Sequence, residues 1–156
     1  MRITICAVGR LRGAPEATLV TDYLDRFGRA GRALGLGPAR LVEIEERKMA
    51  GAAAEAQHMR RLLPDAARIC ALDEHGTPLN SPSFATLLGS WRDQGLREAA
   101  FLIGGADGLD PALRGAADMV LSLGPMVWPH RLARVMLAEQ IYRAATILAG
   151  SPYHRA

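Results

Sequence analysis

Five short apolar segments alternate with helical segments along the chain, and this alternation is the strongest constraint on its fold. The apolar segments are too short for ordinary helices, whereas the segments between them carry apolar residues at helical spacing. Strands joined through single helices form right-handed crossovers, which predicts an α/β protein with a mostly parallel sheet and helices on both faces. The predicted strands are Arg2–Val8, about Ala39–Ile44, Arg68–Asp73, Glu98–Ile103 and Met119–Ser122.

The helix boundaries follow from capping residues and helix breakers. Ser81 is expected to cap the third helix, with Pro82 at its first position and Gly95 closing it. The segment EHGTPLNS before that helix has the composition of a turn. The other predicted helices are Pro15 to about Leu34, about Ala52 to Leu63, Asp110 to about Ala117, and about Leu132 to Ala149.

Length and composition are typical of one globular domain. The chain has 156 residues, of which 49% are hydrophobic, so a single domain over residues 1–156 can bury a core. No apolar run approaches the roughly 20 residues that cross a bilayer. Met1 leads directly into a strand pattern rather than a signal peptide. We therefore expect a cytoplasmic protein that does not bind a membrane.

The two cysteines are predicted to be small buried hydrophobic residues. Cys6 and Cys70 both lie within apolar runs, and neither has a Cys or His partner at metal-ligand spacing. We predict no disulfide, no zinc site and no other metal.

Arginine dominates the positive charge. The chain has 19 basic residues, only Lys48 is a lysine, and the net charge is +3. Guanidinium groups suit phosphate and base contacts, which favours a nucleic-acid partner. GC-rich codons explain the same bias equally well, so the charge leaves both interpretations open.

Three loops are candidates for a ligand site, because ligands of parallel sheets lie beyond the carboxyl ends of the strands. These loops follow Asp73, Ile103 and Ser122. The second, in FLIGGADGLDP, looks like a nucleotide turn but lacks both the dinucleotide fingerprint and the Walker motif. The third, LGPMVWPH, is held in an irregular shape by its prolines and glycine, which leaves backbone groups available for a ligand. A purely structural loop could have this composition too.

The last helix is apolar on nearly every side. Leu132, Met136, Leu137, Ile141 and Tyr142 are among the residues that leave almost no continuous polar face. One face of a sheet cannot cover such a helix, so a second subunit is expected to cover the rest, in a two-fold homodimer.

Four separated motifs carry a family resemblance. FLIGGADGLDP, LSLGPMVWPHRLARVMLAEQIYRA and the terminal SPYHRA, together with ITICAVGRLR at the start, resemble the ribosomal RNA large subunit methyltransferase H family of the SPOUT superfamily. The resemblance covers essentially the whole chain. It implies an S-adenosylmethionine-dependent enzyme that methylates N3 of pseudouridine 1915 in 23S ribosomal RNA on the assembled ribosome. It also implies a carboxyl-terminal trefoil knot, which rests on the resemblance alone because knots are very rare.

The resemblance assigns roles to two groups of residues. For catalysis and contact with the RNA base it points to Tyr153, His154 and Arg155, which combine a stacking surface, a titratable ring and a phosphate ligand. His130, Glu139 and Arg134 are further candidates for accepting the N3 proton or stabilising the anion. The implied cofactor contacts are Leu72, Gly105, Gly124, Pro125, Met126, Val127, Trp128 and Pro129.

Two other classes of function are weighed against the enzyme. A non-catalytic RNA-binding or ribosome-assembly protein on the same fold would bind ribosomes without affinity for S-adenosylmethionine. An enzyme using a flavin or nicotinamide nucleotide is disfavoured, because AVGRLRG replaces the glycine-rich turn expected after the first strand.

Overall fold

The computed structural model describes residues 1–45, 51–64 and 66–154. Lys48 and Arg155 lie outside the described residues. The strands are β1 Arg2–Val8, β2 Ala39–Ile44, β3 Arg68–Pro78, β4 Glu98–Ile103 and β5 Met119–Ser122. The helices are α1 Pro15–Gly31, followed by a 3₁₀ turn at Arg32–Leu34, then α2 Ala52–Leu62, α3 Ser81–Asp93, α4 Pro111–Gly115 and α5 His130–Leu148.

All five predicted strands are present, and only the end of β3 was predicted wrongly. It continues through the predicted turn to Pro78, because its pairing with β5 resumes after a bulge. Leu121 faces Leu72 on one side of that bulge and Thr77 on the other. Residues 73–76 therefore leave the regular ladder at the edge where ligands bind.

The helix boundaries differ from prediction in the choice of cap. Asn80, rather than Ser81, caps α3: its side chain accepts a hydrogen bond from the Ser83 amide at 2.8 Å. The Ser81 hydroxyl instead donates to Gln140 at 2.7 Å and ties α3 to α5. Asp110 caps a shorter α4 rather than opening it, and α5 begins two residues earlier than expected, at His130.

The described strands form a sheet in the order β2-β1-β4-β3-β5, with every neighbouring pair parallel. The three strands that precede the candidate loops, β4, β3 and β5, are thus neighbours. Because the carboxyl ends of parallel strands share one edge, the loops after them converge.

The sheet is covered on both faces, which confirms the predicted fold class. Helices α1, α3 and α5 pack on one face, around Phe27, Phe101 and Leu137. Helices α2 and α4 pack on the other, around Met59 and Leu113. The trefoil knot stays a prediction from the resemblance.

Both cysteines are buried and unbonded to one another, as small hydrophobic side chains of the two cores. Burial raises the pKa of Cys6 to about 11 and that of Cys70 to about 12. In the described part of the chain, no helix is long and apolar enough to cross a membrane. The same residues contain no cluster of three or more His, Cys, Asp or Glu arranged to hold a metal.

Candidate functional site

The three predicted loops enclose one cavity of about 480 Å³ at the carboxyl edge of the sheet. This volume is within the range of small-molecule sites, roughly 300–1,000 Å³. Its lining combines glycine backbone, apolar side chains and a few polar groups. The principal lining residues are Leu72, Asp73 and Glu74 from β3, Ile103 to Ala106 with Gly108 after β4, and Leu123, Gly124 and Met126 to His130 after β5.

The glycine turn after β4 is folded tightly on itself. A Cβ on Gly104 would lie 2.3 Å from the carbonyl carbon and oxygen of Gly108, so only glycine fits there. Gly105 and Gly108 form an isolated antiparallel bridge, with the Gly108 amide donating to the Gly105 carbonyl at 3.2 Å. The turn then enters α4 at Asp110, whose carboxylate accepts from two amides of the first turn. The wall of the cavity here is bare backbone.

The β3 bulge contributes an ionised carboxylate to the opposite wall. Burial opposes the charge on Asp73, but the His75 amide donates to its Oδ1 at 3.0 Å and the Arg114 guanidinium to its Oδ2 at 2.6 Å. Together with the His75 ring, these bonds lower the pKa of Asp73. The carboxylate is therefore negatively charged at neutral pH.

Ser122 joins the β3 bulge to the loop after β5. Its buried hydroxyl oxygen lies 3.1 Å from the Glu74 carbonyl and 3.0 Å from the Gly124 carbonyl, and it accepts from the Gly124 amide at 3.1 Å. Two walls of the cavity are thus held at a fixed separation by one side chain.

The loop after β5 presents apolar side chains outward. Met126, Val127 and Trp128 are 66%, 81% and 38% exposed. Exposed clusters of large apolar side chains mark interaction sites in soluble proteins. This loop is thus available to a ligand or to another macromolecule.

Seven of the eight predicted cofactor contacts line this cavity, and Pro125 does not. The seven are Leu72, Gly105, Gly124, Met126, Val127, Trp128 and Pro129. Sequence reasoning missed the polar lining residues Asp73 and Glu74, and also Ser122, which does not line the cavity but connects two of its walls. Asp73 and Ser122 were named only as ends of strands, although a polar residue at such an end is itself a signal for a site.

The lining fits an uncharged heterocycle joined to a cationic group better than a phosphate. Among the described residues, no Lys or Arg lines the cavity, so a pyrophosphate would lack side-chain cations. A planar apolar ring suits the apolar loop, and the wall at Asp73 is acidic, although that carboxylate is already paired with Arg114.

Comparison with known proteins identifies the family. Residues 1–154 match the family model described as predicted SPOUT methyltransferase. The chain is 62% identical over 155 residues to a ribosomal RNA large subunit methyltransferase H of Ruegeria sp. (strain TM1040), and 59% identical to that of Paracoccus denitrificans (strain Pd 1222). Each match covers 99% of both chains. The chain belongs to this family of SPOUT methyltransferases.

Two solved structures share the fold of this SPOUT methyltransferase. A probable methyltransferase from Bordetella pertussis Tohama I has a TM-score of 0.55 at 17% identity, and the match covers 92% of this chain and 96% of that one. A probable methylase family protein from Haemophilus influenzae Rd KW20 has a TM-score of 0.54 at 13% identity, covering 99% of this chain and 70% of that one.

The carboxyl-terminal segment of this SPOUT methyltransferase is anchored to α5. The Tyr153 hydroxyl donates to Glu139 at 3.1 Å, and its ring lies 4.7 Å from that of Tyr142 and 4.9 Å from the Arg143 guanidinium carbon. Burial and the neighbouring Glu139 raise the pKa of Tyr153 to about 12. Its phenol therefore stays protonated at ordinary pH. Arg155 lies outside the described residues.

His154 contacts the same cluster through Arg143, with 3.4 Å between its Nδ1 and the guanidinium. Because a guanidinium can only donate, a hydrogen bond here makes Nδ1 the acceptor and places the proton of the neutral ring on Nε2. In this geometry the Nε2–H donor, rather than the basic nitrogen, is the ring group that does not face Arg143.

The structure does not bring the described part of the predicted catalytic segment to this cavity. Neither Tyr153 nor His154 lines it, and Glu139 borders a second cavity instead. The Glu139 carboxylate is occupied by Arg143, Tyr153 and Gln140. His130 does line the first cavity. Arg134 is fully buried and cannot reach an RNA anion, so that interpretation of Arg134 was wrong.

The second cavity is an apolar groove of about 590 Å³ bounded by α1, α3, α5 and the carboxyl ends of β3 and β5. Its α5 wall includes Val135 and Met136, which are half-buried. Leu137 also borders the groove but is fully buried, and Ile141 lies in the core beneath α5. The uncovered apolar surface of α5 is therefore narrower than the sequence pattern indicates; it includes this groove and Leu132, which is 40% exposed.

Proposed function

We propose that this protein transfers a methyl group from S-adenosylmethionine to N3 of pseudouridine 1915 in 23S ribosomal RNA. It acts on the assembled ribosome, in the cytoplasm, with residues 1–156 forming a single domain that contains the trefoil knot. The observation that carries this proposal is the glycine-walled cavity at the carboxyl ends of β4, β3 and β5, whose described lining contains no Lys or Arg. The similarity to proteins named ribosomal RNA large subunit methyltransferase H supports the choice of RNA.

The donor site follows from the lining residues. When bound, S-adenosylmethionine supplies an electrophilic methyl group for in-line displacement. Gly105 allows close backbone approach, the apolar side chains of Leu72 and the loop after β5 take the adenine, and Asp73 favours a cationic ligand. These residues bind and orient the donor and exclude water, which accounts for much of the acceleration expected of a displacement reaction.

The carboxyl-terminal segment is the candidate site for the RNA base. Tyr153 offers a stacking ring, Arg155 a phosphate ligand, and His154 a hydrogen-bond partner for the uracil edge. Because the pKa of Tyr153 is about 12, this phenol cannot accept the N3 proton. His154 in its other tautomer, His130 and solvent are the remaining acceptors.

We infer that a homodimer brings two half-sites together. One is the donor cavity, the cavity of about 480 Å³ at the carboxyl edge of the sheet, and the other is the carboxyl-terminal segment. The segment 151–154 and the donor cavity do not meet within one protomer, whereas the groove along α5 lies beside Glu139, which anchors Tyr153. A second copy seated in this groove covers Val135 and Met136 and brings its own terminal segment towards the donor cavity.

Calorimetric titration and methyl transfer together test this function. We expect binding of S-adenosylmethionine and S-adenosylhomocysteine but not NADH, and transfer of a labelled methyl group to ribosomes from a strain lacking the gene. Ribosome binding without affinity for the donor would favour an assembly protein. NADH binding would favour a nucleotide-dependent enzyme. Mapping the modified base would contradict the proposal if the label lay elsewhere.

Replacement of Gly105 by valine should weaken the binding of S-adenosylmethionine without unfolding the protein. A branched side chain at this wall fills space that the ligand needs, so the Kd for S-adenosylmethionine should rise at least about tenfold, or about 1.4 kcal/mol. Titration of the folded variant measures it. An unchanged affinity would remove Gly105 from the donor site.

Glutamate substitutions at two positions of α5 should have different effects, because Val135 is half-buried and Leu137 is fully buried. Val135→Glu should give a folded monomer, because the carboxylate stays partly solvated in the protomer but is desolvated at the proposed interface. Leu137→Glu should unfold the protein, because that site is fully buried. Light scattering and circular dichroism distinguish the two results. A wild-type monomer at micromolar concentration would disprove the dimer.

A further inference from the structure

Arg134 is the largest fully buried side chain in the described part of the chain, and the proposed chemistry does not use it. Its Nη1 donates to the Gly9 carbonyl at 2.8 Å and to Glu43 at 3.2 Å, and its Nη2 donates to the Val8 carbonyl. The same Glu43 oxygen accepts from the Leu11 amide at 2.9 Å. A buried guanidinium is costly unless it is paired and hydrogen-bonded, as here.

These hydrogen bonds join the start of α5 to the carboxyl ends of β1 and β2. Helix α5 begins at His130, which directly follows the loop after β5. Arg134 lies one turn further along this helix. Both His130 and Ala133 line the donor cavity. The orientation of this first turn therefore determines where that wall of the cavity stands.

The other end of the connection lies next to the glycine turn. The parallel register of β1 and β4 ends with Ala7 opposite Ile103. Val8 and Gly9 follow Ala7 directly, as Gly104 and Gly105 follow Ile103. The carbonyls held by Arg134 thus belong to the strand end that flanks the bare backbone wall of the cavity.

We propose that Arg134 is a positioning residue that sets the separation of two walls of the donor cavity, the glycine turn and the loop entering α5. This proposal rests on the function proposed above. A guanidinium suits the task because its planar fork reaches two carbonyls and a carboxylate at once, which a lysine ammonium on a flexible stem does not reproduce.

The test compares Arg134→Lys with Ile141→Ala, a fully buried substitution on the same helix that lies outside the cavity lining. Arg134→Lys should raise both the Kd and the KM for S-adenosylmethionine at least about tenfold, with kcat at saturating donor within about threefold of wild type. Ile141→Ala should lower the melting temperature but leave Kd and KM within about twofold, because a general loss of packing changes the folded fraction rather than the site.

Hydrogen exchange of the ligand-free protein gives a second, independent result. In Arg134→Lys, the amides of residues 8–11, 104–108 and 124–130 should exchange faster, with little change elsewhere. If wild type binds no donor, the proposed function fails, and the exchange pattern still decides the role of Arg134. Uniformly faster exchange, or a Kd equal to that of Ile141→Ala at a matched melting temperature, would overturn the proposal.

Glu43→Gln keeps the inference testable if Arg134→Lys does not fold. The amide retains the shape and an acceptor but removes the charge facing Arg134. We expect a rise in Kd of about threefold and faster exchange in the same three segments, since hydrogen bonds to charged groups are the stronger ones. An unchanged Kd with unchanged exchange in this variant would overturn the proposal.

Discussion

A chain ending at Ser151 should lose at least about a hundredfold in methyl transfer to ribosomes, as expected when a positioned acid–base or base-stacking element is removed. Its affinity for S-adenosylmethionine should stay within a few-fold of wild type, because residues 151–154 do not line the donor cavity. Loss of the Tyr153 contacts should lower the melting temperature by only a few degrees. Transfer of a labelled methyl group to ribosomes from a strain lacking the gene measures the rate.

Single substitutions of Tyr153, His154 and Arg155 should each cause part of this loss of activity. Tyr153→Phe keeps the ring and removes only the hydrogen bond to Glu139, so it should retain much more activity than Tyr153→Ala if stacking matters. Higher pH should partly restore His154→Ala only if His154 accepts the N3 proton. A truncated protein with the wild-type rate would show that the terminus has no part in the reaction.

The second large effect is expected at Gly104. An alanine Cβ would lie 2.3 Å from the Gly108 carbonyl group and 2.6 Å from the Leu109 amide nitrogen, both of them backbone. The turn must open, at a cost of about 2 kcal/mol, and the donor affinity should fall about thirtyfold. Gly115→Ala is the matched control: nothing lies within 4 Å of its added Cβ and its φ is not left-handed, so it should be nearly neutral.

Mixing the truncated chain with the Gly104→Ala variant tests whether two subunits contribute to one active site. In a heterodimer, a truncated chain supplies an intact donor cavity and a Gly104→Ala chain supplies an intact terminus. Mixed subunits should therefore recover part of the activity that each variant lacks alone. No recovery after verified exchange of subunits would place both half-sites on one chain.

The strands were predictable because buried parallel strands read as short apolar runs bounded by turn residues. β3 is the instructive failure. In its second half, EHGTP, the first three residues belong to the bulge, and Thr77 and Pro78 then pair with β5 through the backbone, which leaves no apolar pattern to detect. The cap of α3 was also predicted wrongly. Asn80 and Ser81 are both good caps, and the hydrogen bond from Ser81 to the distant Gln140, which decides between them, cannot be read from local sequence.

The walls of the donor cavity could be located from the sequence, whereas their supports could not. The composition of the loops after these strands, with glycines in one and apolar residues in another, indicates a ligand site. Arg134 gives no such signal, because its partners lie 91, 125 and 126 residues away in the chain. Tyr153 is similar: its anchor, Glu139, follows from how the terminus folds back onto α5. Contacts of this range depend on the packed tertiary structure rather than on local pattern.

The burial of both cysteines makes this protein a natural background for site-specific labelling. Only a thiolate reacts quickly with maleimides, and thiols with pKa values of about 11 and 12 are almost wholly protonated near pH 7. A cysteine introduced at Val127, where the side chain is 81% exposed, should therefore take up a fluorophore alone. Its emission would report directly when the apolar loop passes from water to ligand or ribosome.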